Sequence, residues 1–161
     1  MAIFNRSDKL ITAFSKKLFT VPDLKIAFMS IKPIYANRLI KGTKHFEFRR
    51  SSISLDLTHM IVYASSPIKK ILGIVEVNRV NVASPADTWQ KTKQFAGIER
   101  KDFQEYFSDR DVAYSIEIEP DAIILLQKEI NPKDVDPNFQ VPQSFRYVDK
   151  AFLEKVLELG F

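Results

Sequence analysis

The sequence predicts a single α+β domain with a strongly curved sheet, or small barrel, of about six strands and flanking helices. The chain has 161 residues, the length of one ordinary domain, and 45% of them are hydrophobic, which is enough to form a core. Strand-like segments are interrupted by helical segments after the first strand, in the middle and at the end of the chain. This mixed order is typical of α+β folds.

Residues 1–22 are predicted to be a helical N-terminal extension, with the main domain spanning residues 23–161. Ser7 can cap an amphipathic helix whose apolar side chains recur at every fourth position. Those side chains belong to Leu10, Phe14 and Leu18. We expect this stripe to pack on the chain's own domain. The alternative is an arm that holds a protein partner or a nucleic acid.

The first strand is predicted over residues 24–31, LKIAFMSI, which have the apolar character of a buried strand. Pro33 then stands where a helix takes its first residue. That helix is expected to end at Gly42, because glycine adopts the left-handed conformation of a helix stop. The chain therefore turns directly from this helix into the next strand.

Residues 44–50, KHFEFRR, alternate in polarity, and this pattern predicts a half-buried strand. Phe46 and Phe48 would face the core. Glu47 and Arg49 would lie on the opposite face, where an acid is flanked by basic groups.

The later elements follow from the same patterns and from turn residues. Strands are predicted over residues 60–64, 71–80 with a bend near Gly73, 112–119, and 122–130 after Pro120. Helices are predicted over residues 85–95, 98–107 and 145–161.

The net charge of +4 conceals an uneven distribution along the chain. Residues 1–50 carry 11 Lys and Arg against 3 Asp and Glu, whereas the remainder carries 13 against 17. A leading third with a charge of +8 favours contact with a polyanion, for which phosphate groups are the simplest partner. The alternative is an uneven but solvated surface.

Several classes of site are excluded by composition. The absence of cysteine removes disulfide scaffolds, thiolate catalysis and the usual structural zinc sites. His45 and His59 have no partner at ligand spacing, so no metal site is predicted and no cofactor is implied. With no signal-peptide pattern and no run of about 18 apolar residues, we expect a soluble, cytoplasmic protein without membrane contact.

The segment IKPIYANRLIKGTKHFEFR joins a strand, a short helix and the motif G-x-K-x-x-E-x-R, which falls on Gly42, Lys44, Glu47 and Arg49. It resembles the signature of the ASCH family within the PUA-like superfamily. The later segments VYASSPIKKILGIVEV, TWQKTKQFAGI, FQEYF and PQSFRY are similar to bacterial and archaeal ASCH proteins of unassigned function. The resemblance implies a small PUA-like β-barrel with flanking helices and a groove lined by the motif. Members of this superfamily mostly bind RNA or modified bases.

In such a groove, Lys44 and Arg49 would supply cations for phosphate, and Glu47 would accept hydrogen bonds from a base amino group. Trp89 and Arg146 could stack on unpaired bases. The other residues assigned to the ligand are Lys32, Gly42, Ser65 and Ser66. The expected partner is RNA or a modified nucleotide. Two simpler interpretations are that Glu47 forms an ion pair across an exposed strand and that Trp89 only packs on the barrel, which we favour for Trp89.

Catalysis on RNA-derived substrates is the alternative to binding alone. Some ASCH relatives resemble amidohydrolases of acetylated cytidine with a nucleophilic threonine in a K-x-x-T-x-R motif, but Glu47 stands at that position here. Others are linked to RNA cleavage. For that reaction, Lys44, Glu47 and Arg49 are the clustered candidates for a base, an acid and a cation.

Overall fold

The structure is a computed structural model, and it describes Leu18, Thr20, Val21 and residues 23–161. One curled half-barrel sheet is built from β1 (Ile26–Ile31), β2 (Phe46–Arg49), β3 (His59–Ala64), β4 (Lys70–Ala83), β5 (Ala113–Ile130) and β6 (Phe145–Val148). Five helices have bounds within the described residues: α1 (Pro33–Ile40), α2 (Pro85–Thr92), α3 (Arg100–Tyr106), α4 (Pro132–Val135) and α5 (Lys150–Gly160). The predicted α+β class and the six-stranded curved sheet are confirmed.

The sheet has the strand order β2-β5-β4-β3-β1-β6, so β2 and β6 are its edges. β1 and β3 are parallel, and the other neighbouring pairs are antiparallel. Three strands separate β2 from β1 in this order, yet the Nη2 of Arg49 on β2 donates to the Ser30 carbonyl on β1 at 3.0 Å. The sheet is therefore curled far enough to bring one edge close to the opposite side.

Three apolar clusters cover the two faces of the sheet. α5 packs on one face of the central strands, against residues such as Phe28 and Ile61. α1 packs on the other face, against Met29 and Val62. A third cluster lies between β2 and the α2–α3 pair, with Phe48 at its centre. β2 is thus covered on the side of its phenylalanines by the two middle helices.

β5 differs from the prediction because it is one continuous strand rather than two. Val75 of β4 pairs with Ile123, but Val77 pairs with Ile118, so the residues around Pro120 lie outside the regular ladder. Proline has no backbone N–H to donate, and it is tolerated where a strand is irregular. The prediction of a strand break at Pro120 is therefore wrong.

The last predicted helix is too long at its start. Residues 145–148 form β6, which pairs antiparallel with β1. α5 begins afterwards, where the Asp149 side chain accepts a hydrogen bond from the Phe152 N–H at 2.8 Å. None of the helices within the described ranges is both long enough and apolar enough to span a membrane.

Of the predicted N-terminal stripe, only Leu18 lies within the described residues. Its backbone is helical, and its side chain is 3% exposed in the same cluster as Phe28. Leu10 and Phe14 lie outside the described residues, so the division at residue 22 stays a prediction.

We predict that Leu18→Ala lowers the free energy of unfolding by about 2–5 kcal/mol, the range for a buried leucine truncated to alanine. The matched control is Leu55→Ala, because Leu55 is 61% exposed and its truncation is expected to change stability by less than about 0.5 kcal/mol. Urea unfolding of both variants measures the difference. Equal effects would contradict packing of the N-terminal segment and support the arm.

Candidate functional site

The motif turn begins directly after α1. Gly42 has a φ of +77°, in the left-handed region that glycine adopts without steric cost. The Arg38 carbonyl then accepts backbone hydrogen bonds from Thr43 at 3.0 Å and Lys44 at 3.1 Å. The chain consequently folds back against the end of α1, and the Lys44 side chain lies next to Tyr35 of this helix.

Lys44 is the most deeply buried charged side chain of the described residues, with 1% of its surface exposed. Its Nζ donates to the Ala96 carbonyl at 2.6 Å. The same nitrogen lies 5.3 Å from the Tyr35 ring centroid and 4.8 Å from that of Phe48. One carbonyl and two aromatic faces therefore replace most of the water around this ammonium group.

Burial lowers the pKa of Lys44 to about 8, because the charged form loses its hydration. Glu47 opposes this shift, whereas the positive charges of Arg49 and Arg38 add to it. An amine with this pKa can both hold and release a proton near neutral pH, which an exposed lysine cannot do. Lys44 thus has the chemistry of a proton-transfer group as well as that of a cation.

Glu47 and Arg49 are paired in the interior, next to Lys44. The Arg49 Nη1 lies 3.2 Å from the Glu47 Oε1, and these side chains are 8% and 7% exposed. The Glu47 Oε1 also accepts from the Phe48 N–H at 2.9 Å, and the Arg49 Nη1 donates to the Phe48 carbonyl at 2.7 Å. We call Lys44, Glu47 and Arg49 the motif cluster.

Two atoms of the motif cluster have unused hydrogen-bonding capacity. Glu47 Oε2 and Arg49 Nε are the buried side-chain polar atoms without a partner in the described part of the chain. Buried polar atoms are nearly always paired, so an unpaired acceptor and an unpaired donor in one ion pair are typical of a functional site. A ligand group that both donates and accepts would satisfy them.

A loop segment, residues 95–97 between α2 and α3, covers the motif turn. Each of its three consecutive carbonyls accepts a hydrogen bond from α1 or from the motif turn. The Phe95 carbonyl accepts from the His45 N–H at 2.9 Å, and the Gly97 carbonyl accepts from the Arg38 Nη1 at 2.9 Å. The Ala96 carbonyl, between them, binds Lys44. We call this segment the strap.

The structure corrects the prediction that the polar face of β2 is open. Glu47 and Arg49 pair in register with Ile116 and Tyr114, on the face of the sheet that carries α1. The curl of the sheet encloses that face, so both faces of β2 are covered. The ion pair between Glu47 and Arg49 exists, but it is not exposed as the simpler interpretation required.

The remaining predicted residues lie in three places. Lys32 follows β1, and the Ser65 N–H at the end of β3 donates to the Ile31 carbonyl at 2.8 Å, so Lys32, Ser65 and Ser66 gather where these parallel strands end. Arg146, on β6, is exposed and stacks over Phe139 at 4.6 Å. Among the described residues, no hydrogen bond or ion pair joins either group to the motif cluster.

Trp89 is placed on the opposite side of β2. Its ring lies 5.0 Å from that of Phe103, which in turn contacts Phe48 at 5.0 Å. It also lines a separate groove of about 340 Å³ between α2 and α3. These contacts agree with the packing role that we favoured for Trp89. They do not bring its ring to the motif cluster, where it was expected to stack on a ligand.

Sequence reasoning missed Tyr35, Arg38, Ser30 and the strap. Tyr35 and Arg38 lie three residues apart on α1, a spacing that puts them on one helix face, and this was a usable signal. Burial raises the pKa of Tyr35, with Asp102 contributing in the same direction. Ser30 and the strap act through backbone carbonyls, for which no side-chain pattern exists.

Comparison with known proteins gives three findings. Residues 29–122 match the family model of the ASCH domain. The chain is 26% identical over 140 residues to an ASCH domain-containing ribonuclease from Zymomonas mobilis subsp. mobilis, covering 86% of this chain and 95% of that protein. The crystal structure of ASCH from Zymomonas mobilis superimposes with a TM-score of 0.78 at 24% identity, covering 86% of this chain and 98% of that one.

We predict a pH-dependent difference in stability between the wild type and Lys44→Met. Because the folded-state pKa is about 8 and the ordinary value is 10.5, the unfolded chain holds more protons on Lys44 between these pH values. The wild type should therefore gain stability relative to Lys44→Met as the pH rises from 8 to 10.5, by on the order of 3 kcal/mol at most. Urea unfolding across this range measures it.

The control for this comparison is Lys41→Met, an exposed lysine of the same turn. Its unfolding free energy should follow that of the wild type at every pH. Parallel curves for all three proteins would contradict the buried, destabilised ammonium.

Proposed function

The chain belongs to the ASCH domain family, and from this premise we propose that it binds RNA and recognises it at the motif cluster. The observation that carries the proposal is the convergence of Lys44, Glu47 and Arg49 in one cluster with an unpaired acceptor and an unpaired donor. The relative named a ribonuclease aligns along 95% of its own length, which supports an RNA-related activity.

The donor and acceptor types suit a nucleotide. Lys44 and Arg49 offer charged N–H donors to phosphate or to carbonyl oxygens of a base. The free oxygen of Glu47 can accept from an exocyclic amine, such as those of cytosine, adenine and guanine. The phosphate and the base of one nucleotide can together satisfy Lys44, Glu47 and Arg49. The motif cluster therefore suits an unpaired nucleotide better than a duplex.

The surface around the cluster supplies sequence-independent contacts in this proposal. Lys32, Lys41, Arg50 and Lys69 are exposed cations on or near the elements that carry the motif. Ser65 and Ser66 can donate to phosphate oxygens beside Lys32, at the shared end of β1 and β3. Gly42 contributes its turn rather than a contact. Arg146, on β6, stays a candidate for stacking on a base farther along the bound RNA strand.

RNA cleavage is the second candidate function, favoured by two observations. The relative at 26% identity is named a ribonuclease, and the pKa of Lys44 near 8 fits a group that transfers a proton. Glu47 would then act as general base and Arg49 would stabilise charge on the phosphate. An amidohydrolase mechanism is less suitable, because Glu47 has no hydroxyl to attack an amide.

We predict that the protein binds single-stranded RNA with an affinity that falls steeply with salt, because phosphate contacts release counterions. Fluorescence anisotropy from 50 to 300 mM salt measures the slope. Lys32→Gln should lower both affinity and slope, whereas Lys155→Gln on α5, far along the chain from the motif, should change neither. No binding at low salt, or binding indifferent to salt, would contradict the proposal.

The substitution Glu47→Gln separates binding from catalysis. If the cluster recognises RNA without cleaving it, the loss of a charge-assisted hydrogen bond should weaken binding by about 1–3 kcal/mol, and purified protein should leave RNA and N4-acetylcytidine intact. This is the result we expect. Affinity by anisotropy and product formation by chromatography are measured on the same preparation.

The matched control is Glu117→Gln, since Glu117 is a carboxylate on the adjacent strand β5 that pairs with Arg79 at 2.8 Å outside the cluster. Thermal melts establish that both variants are folded. Product formed by the wild type but reduced about 100-fold to 10,000-fold in Glu47→Gln, at unchanged affinity, would establish the ribonuclease instead.

A further inference from the structure

We propose that the strap, residues 95–97, occupies an oxyanion site with its carbonyls and that an RNA phosphodiester must displace it to reach Lys44. This inference rests on the proposed function, and it names the ligand group and the event that opens the site. The strap would act as an internal substitute for the phosphate.

The donors that the strap engages form a set suited to phosphate. They are the backbone N–H of His45, the ammonium of Lys44 and the guanidinium of Arg38, all directed at three successive carbonyls at 2.9, 2.6 and 2.9 Å. Two cations and a backbone N–H, each bonded to one of three successive carbonyls, are the kinds of donor that bind phosphate oxygens. A phosphate carries full negative charge, so it binds these cations more strongly than neutral carbonyls do.

The charge of the closed site favours exchange for an anion. Lys44, Arg38 and Arg49 bring three positive charges to this corner, and Glu47 brings the negative charge that opposes the lowered pKa of Lys44. Asp102 and Glu99 add negative charge near Tyr35, but they are not among the groups that shift the pKa of Lys44. The strap adds no charge, because it contributes carbonyls alone. A phosphodiester in its place would neutralise one of the remaining cations, which a carbonyl cannot do.

Besides these hydrogen bonds, the strap is held by one buried methyl group and one stacked ring: Ala96 is 0% exposed, in the cluster around Phe48. It lies in the connection between α2 and α3 and belongs to no strand. Phe95 is 45% exposed, although its ring stacks on His45 at 4.4 Å with an interplanar angle of 10°. Displacement would therefore sacrifice one stacked pair, the burial of the Ala96 methyl group and three hydrogen bonds. Of these, the incoming phosphate replaces the three hydrogen bonds.

Gly97 makes the closed position possible. Its φ is +64°, and a Cβ at this position would collide with the Cβ of Lys44. Any L-residue at 97 should therefore hold the strap away from the lysine. The glycine allows the backbone itself to close over Lys44.

The chain offers a reversible test because it has no cysteine of its own. His45 and Phe95 are joined by a backbone hydrogen bond of 2.9 Å and by stacked rings, so a disulfide in the double variant His45→Cys, Phe95→Cys would lock the strap shut. Mass spectrometry quantifies the crosslink, and anisotropy measures RNA affinity before and after addition of reductant.

We expect the oxidised double variant to bind RNA at least about tenfold more weakly than its own reduced form, with the wild type unaffected by reductant. Equal affinity of the oxidised and reduced forms would overturn the strap but leave the proposed function intact. A wild type that does not bind RNA at all would overturn both.

Gly97→Ala tests the open state independently, should the disulfide form poorly. We expect Lys44 to become accessible to an amine-acylating reagent, with modification mapped by mass spectrometry, and RNA to bind several-fold more tightly. Ala86→Gly, at an exposed position of α2, controls for a general loosening of the neighbouring helix. Unchanged acylation of Lys44 in a folded Gly97→Ala protein would overturn the strap.

Discussion

The buried guanidinium of Arg49 connects parts of the fold that the backbone ladder leaves apart. It binds the Ser30 carbonyl across the opening of the curled sheet while remaining attached to Glu47 and Phe48 of its own strand. Ser30 in turn binds the segment before β6, through its hydroxyl to Pro142 at 2.7 Å. The edge strand β2 and the segment before the last strand thus both bind Ser30 of the first strand, the former through Arg49. Removing such a group leaves its buried partners unpaired, which typically costs about 3–5 kcal/mol.

The position of Arg49 also accounts for the state of Lys44. A second cation a few residues away raises the free energy of a charged lysine, and burial adds to this effect. The ammonium is retained because one carbonyl, two aromatic faces and Glu47 compensate in part. A sequence selected for stability alone would place an apolar side chain here, because a well-packed hydrophobic residue is usually at least as stable as a buried charge. Stability alone therefore does not explain the buried ammonium of Lys44.

Local patterns were sufficient to predict most elements, because they depend on neighbours in sequence. The alternation in β2 identified which side chains point each way, and Pro33 and Gly42 located the limits of α1. Exposure was predicted wrongly for Glu47 because it depends on the curl of the sheet, a property of strands that are distant in sequence. β5 continues past Pro120 for a similar reason, since the irregular pairing with β4 accommodates it. The strap was invisible to sequence reasoning because its contacts come from carbonyls that every residue has.

If the strap closes the site as proposed, the measured affinity for a ligand includes the free energy of opening the strap. When a protein binds only in an open state, the apparent affinity falls in proportion to the open fraction, so each 1.4 kcal/mol of opening free energy weakens binding about tenfold. The strap hydrogen bonds, the stack of Phe95 on His45 and the burial of Ala96 oppose opening, whereas the lost hydration of the Lys44 ammonium favours it. The proposed strap therefore predicts a modest affinity for RNA that arises from the fold rather than from poor contacts. In this proposal the strap would also select ligands, because only a phosphate that reaches the position of the strap carbonyls recovers the hydrogen bonds that opening breaks. A flexible single strand meets this requirement, and a stiff duplex does not.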